Sequence, residues 1–369
     1  MSMVQTLQKS FALASPQRTR EVLNIQEKKP SCMKVQLVGL GNVGKSLIVL
    51  VKEKEKTLKS LGVDLTVVSI SDSKGTATDE NGLDLAKVLK HKDNGWKGFS
   101  QYFNGYTALD AIKDIKSDVV VELTPSTPSG EPGLSHIKTA LMRKKNIVTA
   151  NKGPLVVAYG SLTKLAKSND VKLFYEATVA AHVPIFCLID SCFRADQLLS
   201  LQGVLNATTN FIIGEMEKGR DFQAALKYAI EAGWAETSYS DDVDGIDAAR
   251  KVVILANSLF KNAAKLENVK VEGIRNVGSM VEKARELKKR VKLVCEISKR
   301  GAKHEMRVEP RLVPMDDPLA TVKEGDMGVK LVFKTSQQVF VSAQFSGLKQ
   351  TAYAVLNDLT KIGPTIDGC

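Results

Sequence analysis

Aromatic residues make up only 6% of the 369 positions, and histidine occurs four times. So few flat side chains leave little for stacking nucleic-acid bases. The 52 lysines and arginines outnumber 41 acids, for a formal charge of +11. That excess reads as a basic field around an anionic cofactor or substrate rather than a nucleic-acid surface. Cysteine is sparse as well. Cys32, Cys187, Cys192, Cys295 and Cys369 are odd in number, widely spaced and without a CxxC pair. This argues against a disulfide framework or structural zinc and fits a reducing, intracellular compartment. His91, His136 and His304 lie far apart and form no metal motif. There is no GxSxG nucleophile elbow. No apolar run approaches the ~20 residues that cross a bilayer; Val252 to Leu255 is among the longest.

What is present describes a globular chain. Hydrophobic residues are 43% and charged residues 25%, ordinary values for a soluble fold. The length predicts two domains. Residues 1–32 read as a polar extension. They lack the apolar core of a secretory signal, while Ser10, Arg18, Thr19 and Arg20 leave an organelle presequence as the alternative to a cytoplasmic protein.

Beyond the extension, strands and helices alternate. Met33 to Val38 is β-rich and ends in Gly39-Leu40-Gly41-Asn42-Val43-Gly44. A helix is predicted over 45–58, then strands over 65–70, 118–123, 146–149 and 171–175. Helices are predicted over 83–89, 134–144 and 159–168. Residues 94–106, rich in glycine and aromatics, read as irregular. Near-continuous apolar strands such as Val119-Val120-Val121 indicate a parallel sheet covered on both faces. After Val179 the rhythm changes. A strand over 199–204 leads to a polar turn over 206–210. Helices over 222–232 and 245–257 follow, then strands over 292–297, 304–310, 331–333 and 339–343, and a last helix over 351–359.

The spacing Gly39-x-Gly41-x-x-Gly44 follows a strand and opens a helix. The first glycine permits the turn, the second lets the backbone approach a pyrophosphate, and the third lets helix and strand pack closely. Helix N-terminal amides then meet the negative charge. Asp72 ends the second strand, where an acid can hold a ribose hydroxyl and favour NAD; Lys74, two residues on, suits the 2′-phosphate of NADP. The balance tips slightly toward NADP.

Four further motifs follow in order: Asn151-Lys152-Gly153-Pro154, Tyr175-Glu176-Ala177-Thr178-Val179, Asn206-Ala207-Thr208-Thr209-Asn210 and Asp244-Gly245-Ile246-Asp247-Ala248-Ala249-Arg250-Lys251. With the glycine loop they resemble the homoserine dehydrogenases, from about Lys34 to Gly363. The resemblance implies NAD- or NADP-dependent interconversion of L-homoserine and L-aspartate 4-semialdehyde in threonine, methionine and isoleucine biosynthesis. The form is short, without a C-terminal regulatory domain. The implied fold is α/β: a Rossmann-type nucleotide-binding domain over 33–178, an α+β substrate and dimerisation domain over 179–345, and residues 346–369 returning to the first domain. A homodimer is implied, with a small-molecule amino-acid substrate and neither nucleic acid nor membrane as partner.

Site roles also follow from the resemblance. Lys152 and Lys251 match the two lysines of proton transfer and oxygen orientation, which between them need a base, a proton donor and a cation near the reacting oxygen. Glu236 and Asp247 match the acids that hold the substrate amino group and alcohol end. Thr208, Thr209 and Asn210 match a polar substrate loop. Asn42, Val43, Thr124 and Asn151 join the glycines as cofactor contacts, and Lys349 is a further candidate for phosphate. Glu176, Val179, Ala181 and Val183 match a sodium-binding turn. The sequence departs from the pattern where Ala180-Ala181-His182 replaces a glycine-rich turn, and where residues 345–351 replace a glycine-rich cofactor cover. His182 is then either a contact to the substrate carboxylate or a packed loop residue. The departure keeps open a related oxidoreductase for another amino alcohol, or a catalytically idle nucleotide-binding protein.

Overall fold

The computed structural model describes residues 31–363, Ala302 excepted. The expected extension up to residue 30 and the end of the chain from residue 364 lie outside the described residues. The first strand, β1 (Ser31–Val38), already includes two residues assigned above to the extension.

The first sheet is built from β1, β2 (Val63–Ser71), β3 (Gly75–Thr78), β4 (Tyr102–Asn104), β5 (Val119–Glu122), β6 (Asn146–Thr149) and β7 (Leu173–Phe174), in the order β4-β3-β2-β1-β5-β6-β7. β2, β1, β5, β6 and β7 run parallel, and β3 and β4 add an antiparallel edge. Val119, Val120 and Val121 are wholly buried, because helices cover both faces and neither face of the strand can be polar.

Four local expectations change. The first helix is Asn42–Glu53, and a separate short one, Glu55–Ser60, follows a break at Lys54. Residues 94–106 are not irregular throughout. Trp96 stacks on Phe99 and Tyr102, which anchors β4 to the edge. The helix expected from 159 starts at Lys152, because Asn151 caps it through Gly153 N–H; Ala158 departs from helical geometry at φ −140°, which hid its continuity. The polar turn over 206–210 is the first turn of a helix, Ala207–Glu217, capped by Asn206 through Thr209 N–H. Thr and Asn weigh against a helix interior but suit its start.

The second sheet contains β8 (Leu198–Val204), β9 (Val269–Val271), β10 (Lys289–Arg300), β11 (Lys303–Pro314), β12 (Met327–Phe333) and β13 (Gln338–Ala343), in the order β13-β12-β8-β10-β11-β9. The Ile246–Leu259 helix lies across one face with Val252 to Ala256 wholly buried. It also packs on the Lys152–Ser168 helix. Leu155 and Leu162 of that helix share one apolar core with Val252 and Ile297. This packing fixes the C-terminal ends of β5 and β6 against the second sheet. The Leu348–Thr360 helix returns to lie on Asn42–Glu53, with Val355 and Leu359 joining the core of Leu47 and Ile48.

Candidate active site

The glycine loop obeys the sterics of its spacing. Gly39 has φ +101°, and a Cβ there would lie 2.7 Å from the Leu123 carbonyl carbon. A Cβ on Gly44 would lie 2.4 Å from the Gly39 oxygen. Gly41 has open space around its missing side chain and precedes the first helical residue. The amides of Asn42, Val43 and Gly44 therefore stand at a helix start with no intrahelical acceptor, a ready anion site. These residues fit the pyrophosphate of a dinucleotide.

Asp72 is more occupied than its position suggested. Its carboxylate accepts Lys74 N–H, Gly75 N–H, Trp96 Nε1–H at 2.7 Å, Lys92 Nζ at 2.5 Å and Tyr102 O–H at 3.0 Å. Burial alone would raise its pKa, but the Lys92 cation and these donors bring it down to about 2. Such a carboxylate organises the end of β2 and has little capacity left for a ribose hydroxyl. Lys74 beside it is exposed.

The lysines converge across the two sheets. Lys152 opens its helix beyond β6, where parallel sheets gather ligands. Its Nζ lies 3.2 Å from Asp247 Oδ1, while Lys251 Nζ lies 2.6 Å from Asp247 Oδ2. Asp247 and Lys251 are one helical turn apart, on one face. Lys251 also donates to the Leu205 carbonyl at 2.6 Å. Asn206 Nδ2 bridges Asp247 Oδ2 at 3.0 Å and Asp242 Oδ1 at 2.6 Å. Burial opposes ionisation of Asp247, yet the two flanking cations outweigh it and hold the carboxyl far below its usual range. Asp242 shifts the opposite way, raised by burial and then by the charge of Asp247. The cluster thus holds two ammonium groups side by side at the crevice, with one anion between them. An oxygen entering there meets two N–H donors.

Other expected residues lie elsewhere or are engaged. Glu236 is exposed, with Ser238 as its hydrogen-bond donor at 3.4 Å. Thr208 donates to the Trp234 carbonyl, and Thr209 bonds back to Asn206. Asn210 is buried. It donates to the Lys323 and Asp326 carbonyls and accepts from Lys292, so it braces the second sheet rather than lining an open loop. Lys349 is paired with Glu53 at 2.8 Å. Glu53 ends the helix that the glycine loop begins, roughly 17 Å along its axis at 1.5 Å per residue, so in this pairing the lysine sits at the far end of that helix from the loop. The Glu176 carboxylate accepts Phe186 N–H and Cys187 N–H, and the Val183 carbonyl accepts Ile185 N–H. Ala180 and Ala181 adopt φ +55° and +51°. His182 Nδ1 is buried without a partner, and its pKa is lowered by burial.

Glu122 was missed by sequence reasoning. It is wholly buried at the end of β5, near Thr124, Thr149 and His136. A charge closing the apolar run Val119-Val120-Val121 was the available signal. A cleft of about 1100 Å³ lies apart from the lysine pair, walled by Tyr159, Tyr175, Phe186, Ser258, Phe260 and His304 among others. Neither the two lysines, nor Asp247, nor the glycine loop lines it. Among the described residues no cluster of His, Cys, Asp and Glu could hold a metal ion.

A glycine phosphate loop at one side of a Rossmann crevice and paired lysines at the other define a nicotinamide-dependent dehydrogenase. Comparison with known proteins makes the class specific. Residues 39–176 match the NAD-binding domain of homoserine dehydrogenase, and residues 184–360 match the homoserine dehydrogenase domain. Homoserine dehydrogenase of Methanocaldococcus jannaschii is 39% identical over 337 residues, covering 89% of this chain and 98% of that one. An NAD(+)-dependent homoserine dehydrogenase of Pseudomonas canavaninivorans is 34% identical, covering 89% and 96%. The crystal structure of the Thermoplasma acidophilum enzyme superposes with a TM-score of 0.78 at 26% identity, covering 90% and 99%. A hyperthermophilic archaeal homoserine dehydrogenase in complex with NADPH gives 0.77 at 27%, covering 90% and 98%. The chain belongs to the homoserine dehydrogenase family. It carries that family's oxidoreductase activity, the nicotinamide-linked interconversion of L-homoserine and L-aspartate 4-semialdehyde, rather than the other amino-alcohol or idle-protein readings.

Proposed function

We propose that Lys152 and Lys251 carry the proton chemistry of this reaction, with Asp247 holding them in register. The observation behind this reading is one carboxylate between two ammonium groups at the nucleotide crevice. A bound nicotinamide cofactor supplies the hydride acceptor or donor. In the oxidising direction one lysine, as free amine, takes the hydroxyl proton, and the other holds the oxygen as charge develops on it. In reduction the same groups return the proton to the aldehyde oxygen. Asp247 offsets the repulsion of two adjacent cations. The partnerless Nδ1 of His182 suits the substrate carboxylate, and Glu236 and Thr208 are the remaining candidates for its amino end. The step belongs to the threonine, methionine and isoleucine route.

NADP is the preferred cofactor in this reading. Asp72 is engaged five ways, while exposed Lys74 offers a cation for a 2′-phosphate. At the expected sodium turn the Glu176 carboxylate and Val183 carbonyl accept amide protons, and no catalytic step is routed through a cation there. A homodimer would cover the open face of the second sheet, where Gln202, Glu296 and Arg311 pair in a polar ladder. A cytoplasmic setting suits the free thiols of Cys32, Cys187, Cys192 and Cys295. No helix among the described residues is long and apolar enough to cross a membrane.

The test is absorbance at 340 nm with L-homoserine, run separately with NADP and NAD, for the parent and Lys152→Ala. The reading expects homoserine-dependent reduction, faster with NADP, and strongly reduced turnover in Lys152→Ala with cofactor binding retained. Equal turnover of the variant would remove Lys152 from the mechanism.

A further inference from the structure

Glu122 is a wholly buried carboxylate that the proton chemistry above does not use. Its Oε1 accepts the Thr124 amide at 3.2 Å and the Thr124 hydroxyl, with His136 Nδ1 at 3.5 Å. The Thr149 hydroxyl donates to the Glu122 carbonyl at 2.9 Å and faces its Oε2 at 3.4 Å. Each hydroxyl has one proton. With that proton directed at Glu122, its lone pairs face the other way, and Asn151 lies on that side. The Asn151 amide N–H donates to Thr149 Oγ1 at 3.0 Å, and its Nδ2 donates to Thr124 Oγ1 at 3.2 Å. Asn151 Oδ1 in turn accepts Gly153 N–H at 3.0 Å, capping the helix whose first residue is Lys152. The packing leaves no slack. A Cβ on Gly133 would lie 2.5 Å from Asn151 Nδ2 and 3.1 Å from Glu122 Oε2.

We propose that Glu122 is a positioning residue for catalysis: it orients the Thr124 and Thr149 hydroxyls, these clamp Asn151, and the clamp aims Lys152 at the reacting oxygen. The inference rests on the role given to Lys152 above. Buried polar groups are costly unless satisfied, so a carboxyl group retained here fixes one hydrogen-bond direction through the whole chain of groups. Asn151 is thereby a fixed element of the site as well as a cofactor candidate. A displacement of the lysine by about an ångström is enough to slow a reaction substantially.

The test compares Glu122→Leu, Glu122→Gln and Thr149→Val, each alone and in the Lys152→Ala background. Glu122→Leu removes both side-chain acceptors and leaves the backbone carbonyl that Thr149 donates to, and Glu122→Gln keeps one side-chain acceptor for Thr124. Thr149→Val frees the Asn151 amide without touching the Glu122 carboxyl group, so it carries the test if Glu122→Leu does not fold. The expected result is a fall in kcat of roughly ten-fold for Glu122→Leu and Thr149→Val, with Glu122→Gln recovering most of the loss. In the Lys152→Ala background the same changes should alter the residual rate less than about two-fold, since the group they aim is gone. Full turnover in both Glu122→Leu and Thr149→Val, or undiminished losses in the Lys152→Ala background, would overturn the proposal. Full turnover in Lys152→Ala alone would instead overturn the role of the lysine.

Discussion

Lys152 Nζ and Asp247 Oδ1 meet at 3.2 Å, joining the start of one helix beyond the first sheet to the start of another beneath the second. The pair closes the crevice from both sides, and Lys251 completes it on the second carboxylate oxygen. Breaking such a pair from one side leaves uncompensated charge.

Asp247→Asn should therefore damage both activity and stability. Two facing cations without their anion cost on the order of 3–5 kcal/mol when buried; the lysines here keep some solvent, so the lower end is expected. Turnover should fall roughly a hundred-fold or more as the oxygen-binding geometry is lost. Asp241→Asn breaks a pair with Arg250 in which the aspartate is 58% exposed, and should change the rate less than about two-fold. Initial rates and thermal melts of both variants check this. An Asp247→Asn protein with parental turnover would contradict it.

Acid should reveal the buried work of Asp72. Its folded pKa, about 2, is below its unfolded value, so it contributes stability above about pH 4. That contribution is lost as pH falls from about 4 toward 2. Urea unfolding at pH 7, 4 and 2.5 should show the parent exceeding Asp72→Asn by about 2 kcal/mol at neutral pH, the gap narrowing in acid. A gap that stays constant across these pH values would assign the stabilisation to packing instead.

This residue also shows where sequence reasoning runs out. The strand, the glycine spacing and the position of Asp72 are legible because each depends on neighbours in sequence. The partners that engage Asp72, namely Lys92, Trp96 and Tyr102, arrive from a segment whose glycines and aromatics resemble a loop. The order of the Lys152, Asp247 and Lys251 motifs was readable, but their convergence depends on the packing of two helices from different sheets. The Lys349–Glu53 pair was hidden for a similar reason: nothing local indicates that the two meet. Glu122 escaped notice because a lone acid after three valines has no spacing motif, and its Thr124, Thr149 and Asn151 network exists only in three dimensions.

The glycines of the phosphate loop should separate into two kinds. Gly44→Ala places a Cβ 2.4 Å from the Gly39 oxygen, a backbone clash that should cost on the order of 1–3 kcal/mol of stability and weaken cofactor binding. Gly41→Ala meets nothing within 4 Å. Its fold should survive with little change in melting temperature, while a methyl group in the path of the pyrophosphate raises the KM for cofactor. Melting curves paired with cofactor titration distinguish them. A Gly41→Ala protein with parental cofactor affinity would move the phosphate away from this loop.

Lys74→Ala tests the cofactor preference. Loss of a charge-assisted contact is worth about 1.5–3 kcal/mol, or roughly ten- to a hundred-fold in the KM for NADP. The KM for NAD, which has no 2′-phosphate, should stay within about two-fold. Equal changes for both cofactors would mean that Lys74 does not read the phosphate.

Ala180 and Ala181 hold the left-handed conformation at φ +55° and +51°, in the turn that carries His182. An L-residue there costs roughly 1–2 kcal/mol relative to the right-handed region. Glycine avoids that cost but gives up about 0.5–1 kcal/mol in chain entropy. The first effect is larger, so Ala180→Gly and Ala181→Gly should each stabilise the fold by about 0.5–1 kcal/mol. Adjacent sites couple, so the double variant need not gain the sum. Both methyl groups are also buried, which subtracts part of the gain through lost packing. If His182 meets the substrate carboxylate, the relaxed turn should raise the KM for L-homoserine even as the melting temperature rises. Urea unfolding read beside substrate kinetics tests both halves: a lower midpoint in both single variants would show that methyl packing outweighs backbone strain, and an unchanged KM would detach the turn from substrate binding.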